Sequence, residues 1–212
     1  YSFADLLKVT NQGNNSFEHI KIHQKDVILL KGTFALERFQ DFLRHYEDSP
    51  QKGSPLDSLF LTYGRLVYKI EDIHYSYEDA LNLLQRRFFC EQNQHAIGYE
   101  QLPNFEYFSY EIGSNETKQY CEKFCDYIQS YNRKMIADTL FALEKNLYCA
   151  KTDLSDIKLF LTDIYLQIKQ TIHHLYSTTD IPFPTNSSVI DFMESKYYLY
   201  EIILFFSEQF EM

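Results

Sequence analysis

Ser58-Leu59-Phe60-Leu61-Thr62-Tyr63-Gly64 is followed along the chain by Ile73-His74-Tyr75-Ser76-Tyr77-Glu78-Asp79-Ala80-Leu81, by Arg87-Phe88-Phe89 and by Ala96-Ile97-Gly98-Tyr99. Ser58 to Tyr63 is a short apolar run closed by glycine, which predicts a strand. Tyr77 to Phe89 repeats apolar residues at helical spacing and predicts a helix, with Ala80, Leu81, Leu84 and Phe88 on one stripe. Residues Arg65 to Ile73 are expected to be helical as well, and His95 to Tyr99 to form a last short strand. Strand, helix, strand is the order of an α/β or α+β layer.

Upstream, Ser2 to Val9 reads as a short helix ended by the polar turn Asn11-Gln12-Gly13-Asn14-Asn15. His19 to Ile22 reads as a strand. Asp26-Val27-Ile28-Leu29-Leu30-Lys31-Gly32 is a continuous apolar run between charge and glycine, the pattern of a strand buried on both faces. Phe34 to Tyr46 follows as a helix, then a loop from Asp48 to Pro55.

Downstream of Pro103 the period changes. Ser114-Asn115-Glu116-Thr117 offers a helix start, and Tyr120, Phe124, Tyr127, Ile128 and Tyr131 recur at helical spacing. Ile136, Leu140, Leu143 and Leu147 mark a second helix. Thr152 or Asp153 caps a third, with Leu154, Ile157, Leu161, Ile164, Ile168 and Leu175 apolar; the first five are separated by 3, 4, 3 and 4 residues, a bundle or coiled-coil seam. The segment Ile181 to Asn186, with two prolines, breaks the pattern. Val189 to Ser195 and Tyr198 to Phe210 close the chain as helices. The expected fold is therefore α+β: a small mixed α/β sheet module over 1–103, then an all-helical bundle module over 104–212.

Composition narrows the function. The formal charge is −10, from 20 basic and 30 acidic residues, so the segment gains nothing from the phosphate term that dominates nucleic-acid affinity. No direct nucleic-acid binding is expected. No apolar stretch is long enough to span a membrane, and no signal-peptide pattern is present, so a cytoplasmic location is expected. A chain that begins at Tyr1 is expected to be an internal piece of a longer one. Cys90, Cys121, Cys125 and Cys149 lack the spacing of metal ligands and read as structural thiols.

Catalytic patterns are missing. There is no phosphate-binding glycine loop, no Gly-x-Ser-x-Gly elbow and no His-Glu-x-x-His helix. The adjacent pairs Glu71-Asp72 and Glu78-Asp79 read as a solvated face or as partners of a helix N-terminus. His173-His174 reads as a solvated helix end; Arg86-Arg87 is able to bind an anion, but at a helix C-terminus such a pair more often answers the dipole. The 18 Tyr and 18 Phe come without interleaved basic residues, so packing is expected rather than base stacking. No catalytic residue, cofactor or metal is assigned.

The stretch from Ser58 to Tyr99 resembles the middle region of YesN-type response regulators of the AraC class. There, a strand is followed by a Ser-Tyr-x-x-Ala helix, an Arg-Phe-Phe exit and a strand ending in tyrosine. The matching residues are Ser76, Tyr77 and Ala80, then Arg87, Phe88 and Phe89, then Tyr99. The layout is also similar to the C-terminal half of GGDEF diguanylate cyclases, but no Gly-Gly pair occurs anywhere in the chain. The resemblance thus implies a degenerate, inactive GGDEF-like module. It implies a helical linker after it, here Val189 to Phe206. It also implies a receiver domain and an AraC-type DNA-binding domain elsewhere in the same chain, with pairing into homodimers. A second reading, of a different class, is a sensory module that binds a small molecule in an aromatic-lined pocket.

Overall fold

The computed structural model describes residues 17–48, 59–92, 94–176 and 184–210. The expected helix at Ser2–Val9 and most of the loop after Asp48 lie outside the described residues. The chain is a mixture of helices and short strands. It divides into two compact units, one of residues 1–80 and 93–99, the other of 81–92 and 100–212.

In the first unit, β1 (Phe17–Ile22) and β2 (Lys25–Leu30) form an antiparallel hairpin, Phe17 opposite Leu30 and Ile22 opposite Lys25. The connection is His23-Gln24, both at positive φ (47° and 65°), the backbone of a tight primed turn that matches strand twist. The run Val27 to Leu30 is half-buried, not enclosed on both faces as expected, because among the described residues its sheet has two strands. α1 (Thr33–Asp48) follows. β3 (Leu61–Tyr63) and β4 (Ala96–Gly98) pair in parallel, Thr62 opposite Ile97. Parallel neighbours need a crossover, and α2 (Ile73–Arg86) lies within it.

The expected helix over Arg65–Ile73 is absent. Residues 64–67 are irregular, and only Ile70–Asp72 forms a single 3-10 turn before α2. The backbone N–H of Arg65 donates to the Asp79 carboxylate, 3.2 Å away, instead of joining a helix ladder. At the other end α2 stops at Arg86, three residues short of Phe89, and Arg87–Phe89 tightens into a 3-10 turn.

The second unit is built on α3 (Ser114–Gln129), α4 (Arg133–Tyr148), α5 (Leu154–Leu175), α6 (Asn186–Ser195) and α7 (Leu199–Phe210). Their ends follow local chemistry. Glu116 reaches back to the Gly113 N–H (3.0 Å), Asn132 Oδ1 accepts from Met135, and Thr185 Oγ1 accepts from Ser188. α3 packs on α4 and α5, α5 on α6, and α4 on α7. Ile157, Leu161, Ile164 and Ile168 are buried, so the 3-4-3-4 seam is core within the chain. Leu175, expected as a further apolar position of α5, is its last residue and half exposed. Aromatic rings fill the centre: Tyr165 packs on Phe205, Phe206 and Phe210, and Phe210 on Phe124. The Tyr165 hydroxyl donates to Gln209, so its burial leaves no unsatisfied donor. No described helix is long and apolar enough to cross a membrane.

Candidate functional site

α2 carries most of the motif residues, and the face it buries is not the one its apolar pattern predicts. Asp79, Leu83 and Arg86 are buried, while Ala80, Leu81 and Leu84 are half-buried. Positions 79, 83 and 86 are four and three apart, one helical face. Two of the three are charged, which hides that face from a count of apolar residues. Each charge has its own environment.

Asp79, 4% exposed, is held by Arg65 through two guanidinium contacts, Nε to Oδ2 at 2.6 Å and Nη2 to Oδ1 at 2.9 Å. This fork geometry is the strong form of the pair. The hydrogen bonds from Arg65 hold the Asp79 carboxyl below its ordinary range, against the opposing effect of burial. The Arg65 guanidinium also lies over the Tyr99 ring, 4.8 Å from its centre. The expectation of a solvated Glu78-Asp79 pair is corrected for Asp79: a partner 14 residues upstream makes its burial tolerable.

Arg86 is 7% exposed. Its guanidinium sits over three rings, Phe89 at 4.2 Å, Tyr148 at 4.6 Å and Phe108 at 5.1 Å. Nη2 donates to the Tyr148 carbonyl, 3.1 Å away. Arg86 is in the last turn of α2, but its cation is spent on rings and a carbonyl of α4 rather than on the end of its own helix. Arg87 lies over Tyr197 and Tyr198, at 4.4 and 5.1 Å.

The motif residues divide between the units. Ser76, Tyr77, Ala80 and Tyr99 belong to the first, and Arg87, Phe88 and Phe89 to the second. Ala80 accepts a hydrogen bond from Thr62 Oγ1 of β3 (2.8 Å). The Ser76 carbonyl lies where a Cβ on Gly64 would have to go. Phe88 is part of the helical core and meets Phe89 edge to face. Arg65, Asp79, Arg86 and Tyr148 were not among the motif residues. An acid and a base seven apart on either side of Leu83 are the one trace of them in the sequence.

The other candidates stay apart. Glu71 and Asp72 lie in the 3-10 turn, and His173 and His174 are exposed at the end of α5. The four cysteines are free thiols. Burial pushes the Cys90 thiol up to about 11 and the Cys121 thiol up to about 12, which leaves both as poor nucleophiles. An open depression of about 380 Å³ in the first unit is lined by Arg65 to Lys69, Asp72 and Tyr75.

Asp79→Asn tests the first ion pair through its pH dependence. The folded pKa of Asp79 lies below its unfolded value, so the pair stabilises the fold above the ordinary aspartate range. That contribution is lost as the pH falls through the folded pKa. The wild-type unfolding temperature should therefore drop more steeply below pH 4 than that of Asp79→Asn, which starts lower at pH 7. Parallel acid limbs in thermal melts would show that Asp79 is not held by Arg65.

No family model matches the chain, and comparison with curated proteins and with solved structures yields no significant match.

Proposed function

We propose that this chain is the non-catalytic middle region of a bacterial two-component response regulator of the AraC class. In this reading a degenerate GGDEF-like module and a helical linker transmit the phosphorylation state of a receiver domain to a DNA-binding domain in the cytoplasm. The observation that carries it is α2, the helix of the Ser-Tyr-x-x-Ala motif, whose residues are divided between the two compact units. A rigid element that is part of two units suits a transmitter better than a catalyst. The packing of Tyr165, Phe205, Phe206, Phe210 and Phe124 on one another also favours it, since these rings are consumed as core and not left to line a pocket.

The coding frame on either side of this segment tests the reading. A receiver-coding segment is expected upstream and an AraC-type DNA-binding segment downstream; their absence from both sides overturns it. The chain incubated with GTP and magnesium or manganese should form no cyclic dinucleotide, and turnover abolished by denaturation would refute the inactive assignment. Pairing of two copies belongs to the same proposal. With the seam of α5 used inside the chain, exposed apolar residues such as Phe141, Leu159, Leu204, Ile190 and Tyr197 are the surface left for it. Sedimentation equilibrium that gives only the 25.4 kDa species at high concentration would remove pairing from this segment.

A further inference from the structure

Among the described residues Arg86 is the one buried cation, and no carboxylate lies within ion-pair distance of it. This is notable in a chain with 30 acidic residues, and more so because Asp79 of the same helix has its own forked arginine, Arg65. Buried charges are normally paired. The rings of Phe89, Phe108 and Tyr148 supply a quadrupole attraction, which is weaker than a counter-charge. A guanidinium carries five N–H donors, and among the described residues the acceptors it meets are both on Tyr148, the carbonyl and the side chain. The other donors are not among the sealed, unsatisfied polar atoms, so they face an opening to solvent. The walls define that opening. Phe108 is buried, Phe89 and Cys149 are half-buried, and Tyr148 is 44% exposed, so Tyr148 is the most exposed wall of the cage.

We propose that the Arg86 cage is a binding site for a low-molecular-weight monocarboxylate, whose carboxylate pairs with the outward edge of the guanidinium and whose apolar body lies against Tyr148 and Phe89. One guanidinium matches one negative charge. A phosphate dianion would need a second cation, and the neighbouring Arg87 is held over Tyr197 and Tyr198. The aromatic rim suits a ligand with an apolar body, because ring faces offer a carboxylate nothing while they bury hydrocarbon well. Burial already disfavours the charged form of Arg86, so a bound anion relieves a cost the fold carries. The site stands whether or not the response-regulator reading does.

Sodium benzoate, with sodium chloride at equal ionic strength as control, tests it on the intact chain. The unfolding temperature should rise with the logarithm of benzoate concentration above the dissociation constant, by roughly 3–5 °C at ten times that constant. In Arg86→Gln the melts in benzoate and chloride should coincide. If Arg86→Gln does not fold, the Nε–H resonance of Arg86 in wild-type chain labelled with ¹⁵N-arginine should still move saturably with benzoate. The proposal is overturned by equal wild-type melts with an unmoved Arg86 resonance, by a benzoate shift that persists in folded Arg86→Gln, or by a response to inorganic phosphate without one to benzoate.

Discussion

Leu161→Ala should lower the unfolding free energy by about 2–5 kcal/mol, the range for a buried leucine cut back to alanine. Leu161 is fully buried midway along α5, with Ile157 and Ile164 one turn away on either side, also buried. The loss has two parts: the transfer free energy of the removed carbons, and the cavity that the surrounding helices fail to fill. Close-packed helices on several sides leave little room for collapse, which favours the upper part of the range. Urea unfolding followed by circular dichroism checks it, with the midpoint lowered and the slope kept. A loss under half a kilocalorie would mean that α5 is rotated away from the core.

Gly64→Ala should destabilise the first unit by about 3 kcal/mol, the upper part of the range for overpacking. The added Cβ would run into the carbonyl carbon and oxygen of Ser76. A side chain could swing away, but main chain inside α2 cannot move without breaking the helix ladder. The strain should appear at the β3–β4 pair, which adjoins Gly64 in sequence and carries the Thr62–Ala80 bond. Faster amide hydrogen exchange at Leu61, whose N–H donates to the His95 carbonyl, and at Ile97, with α5 unchanged, is the expected pattern. Unchanged exchange at both positions would show that Gly64 has room.

The helical half was legible because its buried positions are apolar. Ile157, Leu161, Ile164 and Ile168 recur at helical spacing and all four are buried. The phase of α2 was not legible, because Asp79 and Arg86 take buried positions that a hydrophobic count assigns to solvent. What makes those positions tolerable is distant in sequence: Arg65 for Asp79, and Phe108 and Tyr148 for Arg86. The same limit explains Arg65–Ile73, where local propensity suggested helix and the contacts of Arg65 and Gly64 with α2 decided otherwise. The run Val27–Leu30 was recognisable as a strand, but its partner and exposure depend on how many strands the sheet has. The cage around Arg86 left the weakest trace, since no sequence pattern separates a dipole-answering arginine from one under three rings.

The division of the chain at Ala80–Leu81 has a kinetic consequence. β3 and β4 of the first unit are more than 30 residues apart, and the loop that joins them includes residues 81–92 of the second unit. Pairing of the two strands closes that long loop, and closure costs entropy before any strand contact repays it unless the loop is already shortened by its own structure. The helical unit also draws Phe88 into its core from the same loop. Refolding of the β3–β4 pair should therefore trail formation of the helical core, so that a ribosome releasing this chain would see its early residues wait for later ones.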